Sequence, residues 1–130
     1  IVHAGWQGTH KKIAQIAVEK MALRYGSMPA TLLAGIGPSI CQDCYEVGPN
    51  VLEEFMKSFG QEAAQFFKWR GSSLYLDLWQ ANSFILQSAG VKKIETSGIC
   101  TACHLEDWYS HRAENGKTGR FGVLMSIQDN

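Results

Sequence analysis

His3 is the first residue with chemistry to offer, and its setting is Ile1-Val2-His3-Ala4-Gly5-Trp6-Gln7-Gly8-Thr9. Ile1 and Val2 read as the apolar end of a strand. Gly5 and Gly8 mark a tight turn, where a missing Cβ allows positive φ or close backbone approach. Thr9 is a suitable N-cap for the periodic segment after it. An imidazole at such a strand-to-helix turn is held by a rigid element and exposed by a loop, which suits a ligand. The structural alternative is an imidazole that is merely hydrogen-bonded in place.

Four cysteines supply the other reactive side chains, in two Cys-x-x-Cys pairs, Cys41/Cys44 and Cys100/Cys103. A structural zinc ribbon usually places about 15–20 residues between such pairs. Here 55 residues separate Cys44 from Cys100, and the flanking residues belong to different elements. The expectation is therefore that the pairs do not form one zinc site. Cys100-Thr101-Ala102-Cys103-His104 also spells the haem-attachment pattern Cys-x-x-Cys-His, but that chemistry goes with an exported chain and no export signal is visible. Disulfides are disfavoured in a reducing compartment. Free thiols packed as small apolar groups are the remaining reading. Arg112 and Arg120 lie in an irregular, Gly-containing segment, and each offers a planar fork of donors suited to phosphate. The alternative for either is a surface ion pair. Tyr45 and Trp6 have faces on which a base stacks, or they belong to the core.

These residues need elements to position them. Residues 9–26 predict a helix, with Ile13, Ile16, Ala17, Met21 and Tyr25 forming one apolar stripe directed to the core and Gly26 stopping it. Thr31 to Ile36 reads as a short buried strand. Pro49 opens a second helix over 49–59, ended by Gly60. Phe66 to Trp69 and Ser73 to Leu76 flank Arg70-Gly71-Ser72 as a hairpin. Asp77 caps a third helix reaching about Ala89. Val91 to Ile99 is a strand with a polar interruption, residues 101–120 are irregular with a turn at Asn115-Gly116, and Phe121 to Ile127 forms a last strand. Strands alternating with helices indicate an α/β or mixed α+β class.

A chain of 130 residues suits one domain. Lysine plus arginine and aspartate plus glutamate number 12 each, so no basic footprint argues for nucleic acid. No apolar run approaches the ~20 residues of a membrane span. The expectation is a cytoplasmic protein with small-molecule partners and no membrane; oligomeric state is not readable. The chain also opens without methionine, inside what reads as a strand and with the site stretch under way. That reads as the C-terminal part of a longer protein.

His-Ala-Gly-Trp-Gln-Gly-Thr resembles the His-Ala-Gly-Trp-(Arg/Lys)-Gly signature of the multicopper polyphenol oxidoreductase, or laccase-domain, family. Three further stretches agree in the family's order: Gly37-Pro38-Ser39-Ile40 leading to Cys44-Tyr45-Glu46-Val47-Gly48; Leu76-Asp77-Leu78 with Asn82; and Cys100-Thr101 followed by Ser110-His111-Arg112 and Thr118-Gly119-Arg120. The resemblance implies a four-layer αββα sandwich with mixed sheets. It also implies a zinc-dependent purine nucleoside phosphorylase acting on adenosine, inosine and S-methyl-5'-thioadenosine, with adenosine deaminase activity. His3 becomes a catalytic metal ligand, and Trp6, Gln7, Tyr45, Arg112 and Arg120 substrate contacts. Gln7 departs from the pattern, which usually has a basic residue there, so an anion contact by that side chain is not carried over with the rest. Cys44 and Cys100 occupy positions where the family often has cysteine, whereas Cys41 and Cys103 lie outside its core signature. The implied catalytic cysteine, in an Asp-Cys-x-Pro motif, and the other metal-binding histidine lie upstream of the signature. Of a two-His, one-Cys constellation this chain carries only His3. Copper-dependent polyphenol oxidation is the alternative activity, since His and thiolate ligands hold copper as well as zinc; a fragment without activity is the third reading. If upstream strands are absent, His3 faces a partly open cleft with exposed apolar surface beside Ile1 and Val2.

Overall fold

The computed structural model describes residues 1–126. Its backbone combines helices with one parallel and one antiparallel sheet, so the mixed α/β expectation holds. In chain order the elements are α1 (Trp6–His10), α2 (Ile13–Tyr25), β1 (Leu33–Ile36), β2 (Glu46–Val47), α3 (Pro49–Phe59), β3 (Phe67–Arg70), β4 (Ser73–Leu76), α4 (Leu78–Ser88) and β5 (Lys93–Thr96). β1 pairs with β5 in parallel, Leu33 opposite Lys93 and Ile36 opposite Thr96. β4 is central in an antiparallel trio, with β2 on one side and β3 on the other.

The core is aromatic and lies between α3, the 3-10 segment Gly60–Phe66, β4 and α4. Phe55, Phe66, Leu76, Ala63 and Ala81 are fully buried there, joined by Tyr45, Val51 and Leu78. Their positions follow from local pattern. Pro49 at the first turn presets φ for α3 and has no N–H to orphan. Val51 and Phe55, four residues apart, then fall on one face. Phe55 meets Phe67 edge-on at 5.3 Å between ring centroids, and Phe66 meets Phe84 at 5.4 Å. Edge-to-face contact suits the ring quadrupoles. Gly60 ends α3 at φ +59, a conformation costly for a side chain with Cβ.

α4 is capped as expected: Gln80 N donates to Asp77 Oδ1 at 2.9 Å. Asp77→Ala should lower stability by about 1 kcal/mol, and Asp77→Asn should recover most of it, in urea unfolding of the two variants side by side. Equal stability of wild type and Asp77→Ala would remove the cap from the account.

Several expectations need correction. Ile1 and Val2 are not in a strand, because no described segment forms a ladder with them. Thr9 does not cap a helix. It lies inside α1, fully buried, and α1 starts instead from Gly5 in extended backbone. The single expected helix is broken at Lys11-Lys12, where Lys12 adopts left-handed φ 56 and α2 begins anew. The α2 stripe is not core: only Val18 is buried, while Ile16, Met21, Leu23 and Tyr25 are exposed. The strand at Leu33–Ile36 is not buried either, with Leu33 77% exposed. Burial alternates exposed and half-buried along it, so one face of its pleat has no cover among the described residues, and β5 is its only neighbour in the described sheet. Residues 121–126 form no strand, and Ile127, the end of that expected element, lies outside the described residues. The helix over 49–59, the hairpin around Gly71, the helix after Asp77 and the Asn115-Gly116 turn are as expected.

Candidate functional site

His3 is exposed and lines a cavity of about 460 Å³ together with Trp6, Gln7, Tyr45 and His111. The two glycines of its turn matter through contact distance rather than through φ. A Cβ on Gly5 would stand 3.3 Å from His3 Nε2, and one on Gly8 would meet the His3 carbonyl oxygen at 3.3 Å and Ile13 Cγ2 at 3.2 Å. The imidazole therefore leans over bare backbone. A hydrogen-bond chain fixes that backbone from below. Asn82 Nδ2, buried on α4, donates to Thr9 Oγ1 at 3.0 Å and to Leu78 O at 2.9 Å. Thr9 Oγ1 in turn donates to the Ala4 carbonyl at 3.1 Å. The Oδ1 of Asn82 is buried without a partner among the described residues.

A neighbouring cavity of about 490 Å³ shares the Trp6 and Tyr45 walls and includes Glu46, Trp69, Ser73 and Arg112. Trp6 is half-buried and stacks on His10 at 5.7 Å. Tyr45 is a core residue at 8% exposure, and burial pushes its phenol above the ordinary range, only partly opposed by the Arg112 charge. The Arg112 guanidinium lies over the Tyr45 ring at 4.9 Å and donates to the Glu46 carbonyl. It is thereby held at the cavity with donors left over. Arg120 is placed differently. It lines neither cavity and donates to the carbonyls of Gly119, at 2.9 Å, and Thr118.

Of the residues expected at the site, His3, Trp6, Gln7, Tyr45 and Arg112 thus converge on two adjoining cavities, and Arg120 does not join them. His111 was missed as a separate candidate. Its signal was present in Ser110-His111-Arg112, where a second imidazole stands next to the arginine singled out. Ile1 and Val2 are 80% and 44% exposed. His3 and His111 line one cavity, and a neutral imidazole is a ligand type that zinc accepts. No group of three or more potential metal ligands among the described residues includes His3.

The two Cys-x-x-Cys pairs, expected not to form one zinc site, lie together in the fold. Cys41, Cys44, Cys100 and Cys103 bring their sulfurs within 4.8 Å of one another. The means is a single parallel bridge between Ser39 and Cys100, which lays the two Cys-x-x-Cys turns side by side. No local spacing encodes such a pairing across the chain. Burial and the neighbouring thiols raise the Cys41 and Cys44 thiols. Burial also acts to raise Cys100, but hydrogen bonds with Cys41 and Cys103 outweigh it and bring that thiol down to about 6.

Comparison with known proteins adds the following. The family model described as "Multi-copper polyphenol oxidoreductase laccase" matches residues 1–128. A protein of Deinococcus radiodurans named "Purine nucleoside phosphorylase" is 38% identical over 128 residues, covering 96% of this chain and 47% of that protein. A protein of an unknown prokaryotic organism named "Adenosine deaminase RL5" is 37% identical over 123 residues, covering 92% of this chain and 47% of its own. The crystal structure of YlmD from Geobacillus stearothermophilus superposes with a TM-score of 0.84 at 34% identity, over 91% of this chain and 45% of that one. That of the Bacillus licheniformis hypothetical protein YfiH gives 0.83 at 37% identity, over 91% and 45%. The chain spans about half the length of the curated relatives it matches.

Proposed function

This chain belongs to the multi-copper polyphenol oxidoreductase laccase family, and we propose that it forms part of an enzyme that splits purine nucleosides with phosphate and deaminates adenosine. The names of two relatives support those reactions. The observation that carries the reading onto this chain is the convergence of His3, His111, Trp6 and Tyr45 on one cavity, with Arg112 beside it. In this reading the chain is the C-terminal part of a longer protein. His3 holds zinc there with further ligands from outside these 130 residues, since catalytic zinc takes three protein ligands.

When bound, zinc supplies a water acidic enough to serve as hydroxide near neutral pH. The chain's own residues do the rest. Trp6 and Tyr45 wall the cavity with apolar faces that suit a purine ring and exclude water. Gln7 has an amide that donates to and accepts from a base edge. Arg112 keeps one donor on Glu46 and directs the others at phosphate, a charge-assisted contact. Phosphorolysis breaks the bond between the base and the sugar C1′ and joins a phosphate oxygen to that carbon. Deamination adds water at C6 of adenine and expels ammonia, and it needs no phosphate.

That difference gives the test. The complete protein, given adenosine, should release adenine only when phosphate is present and form inosine with or without it. Arg112→Ala should raise KM for phosphate about tenfold or more, because a hydrogen bond to a charged group is worth about 1.5–3 kcal/mol, and leave deamination close to wild type. Phosphate-independent release of adenine would refute the phosphorylase reading. A copper-loaded protein that oxidises phenols and ignores nucleosides would establish instead the alternative that the family description favours.

A further inference from the structure

None of the four cysteines lines the cavity of His3, and the reactions above do not use them. Two turns build it, and they are alike. Cys44 N donates to Cys41 O at 3.2 Å, and Cys103 N donates to Cys100 O at 3.2 Å. Each Cys-x-x-Cys pair thus closes a tight turn that brings its two sulfurs together. The turns are stitched through Ser39, whose N–H donates to Ile99 O at 3.2 Å while Thr101 N donates to Ser39 O at 3.2 Å. The Cys41 N–H donates to Cys100 Sγ at 3.3 Å. A backbone amide directed at sulfur is the outer-shell support that a metal-bound thiolate needs.

The distances fit a metal. Tetrahedral zinc with Zn–S bonds of about 2.3 Å sets its sulfurs about 3.8 Å apart. The sulfurs here span from 3.4 Å, between Cys44 and Cys103, to at most 4.8 Å. A shift of about 1 Å at most brings every pair to that spacing. Four sulfurs and no oxygen or nitrogen select a soft ion, and a full set of four protein ligands leaves no position for water.

We propose that Cys41, Cys44, Cys100 and Cys103 form a closed, structural tetrathiolate site for zinc, separate from any metal held at His3. The ion ties the segment after β1 to the segment after β5. Both segments carry cavity walls: Tyr45 directly follows Cys44, and Arg112, downstream of Cys103, reaches back over the Tyr45 ring. The site is thus a staple just beyond the β1–β5 ladder, where the Ser39–Cys100 bridge continues the parallel pairing of the two segments.

The test uses the complete protein, purified under reducing conditions with zinc. Metal analysis of His3→Ala should still find one zinc per chain, and that zinc should be absent from Cys41→Ser/Cys103→Ser. Cobalt in place of zinc should give the intense thiolate-to-cobalt charge-transfer bands of a tetrahedral sulfur site, unchanged by His3→Ala. Because the serine variant can fail to fold, the His3→Ala protein is also titrated with a thiol-modifying reagent, and its remaining zinc should leave as the four cluster thiols, identified by mass analysis, react. A Cys44–Cys103 disulfide in native protein, shown by alkylation and mass analysis, would overturn the proposal. So would four thiols that react with no release of metal. Neither result touches the His3 reading, which stands or falls on the zinc lost in His3→Ala and on nucleoside turnover.

Discussion

Replacing His3 by alanine in the complete protein should lower nucleoside turnover at least about 100-fold, since loss of a group one shell further from a metal already costs 10–100-fold. Stability, compared in the metal-free proteins, should stay within about 0.5 kcal/mol of wild type, because the side chain is exposed. That pairing of a large functional and a small structural effect separates a ligand from a hydrogen-bonded structural histidine. Gly5→Ala supplies a graded version. Its φ of −68° accepts alanine, so strain in the backbone is not at issue, but the added Cβ would press His3 Nε2 from 3.3 Å. The imidazole must turn by a few tenths of an ångström, and turnover should fall by less than in His3→Ala. If His3→Ala kept both turnover and full zinc content, His3 would be no ligand and the site would lie elsewhere.

Where the sequence could be read, it was because one short window held the whole cause. Pro49 and Gly60 bracket α3, Asp77 caps α4 three residues before its donor, and Gly71 turns a hairpin between two strands four residues long. Each needs only neighbours along the chain. Failures occurred where the cause is distant. The α2 stripe has a helical period, but period shows which residues share a face and not what covers that face. Ile16, Met21 and Tyr25 therefore share a side without being core. Thr9 reads as a cap from its type and place, yet its hydroxyl answers to Asn82, which is 73 residues away. The cysteine cluster is the extreme case. Its two halves were each visible as Cys-x-x-Cys, and the fold alone decided that they meet.

The same contrast applies to His111 and Arg120. Both stand in the irregular segment, where no periodicity fixes which side chains point inward. His111 lines the cavity of His3, whereas Arg120 turns back to carbonyls of its own segment. Arginine type and a flanking glycine made Arg120 attractive, but those features describe what a side chain can bind and not where it stands.

The largest stability effect should come from Phe55→Ala. Phe55 is fully buried and is the ring that touches most of the core: Phe59 at 5.5 Å, Phe66 at 6.3 Å and Phe67 at 5.3 Å between centroids, with His10 of α1 at 6.3 Å. Its removal loses the transfer free energy of a phenyl group and leaves a void that the surrounding rings cannot fill without leaving their own rotamers. The expected loss is about 3–5 kcal/mol, read as a fall in the urea midpoint with the slope unchanged. Met56, its neighbour on the same helix, is 43% exposed, and Met56→Ala should stay within about 0.5 kcal/mol of wild type. The pair tests the placement of α3 as well as the value of the ring, since a one-residue rotation of the helix would exchange the two outcomes. Because Phe55 also packs against His10, Phe55→Ala should loosen α1, which carries Trp6 and Gln7, and lower turnover even where the protein remains folded. Equal losses for Phe55→Ala and Met56→Ala would mean that the aromatic cluster is not the core of this chain.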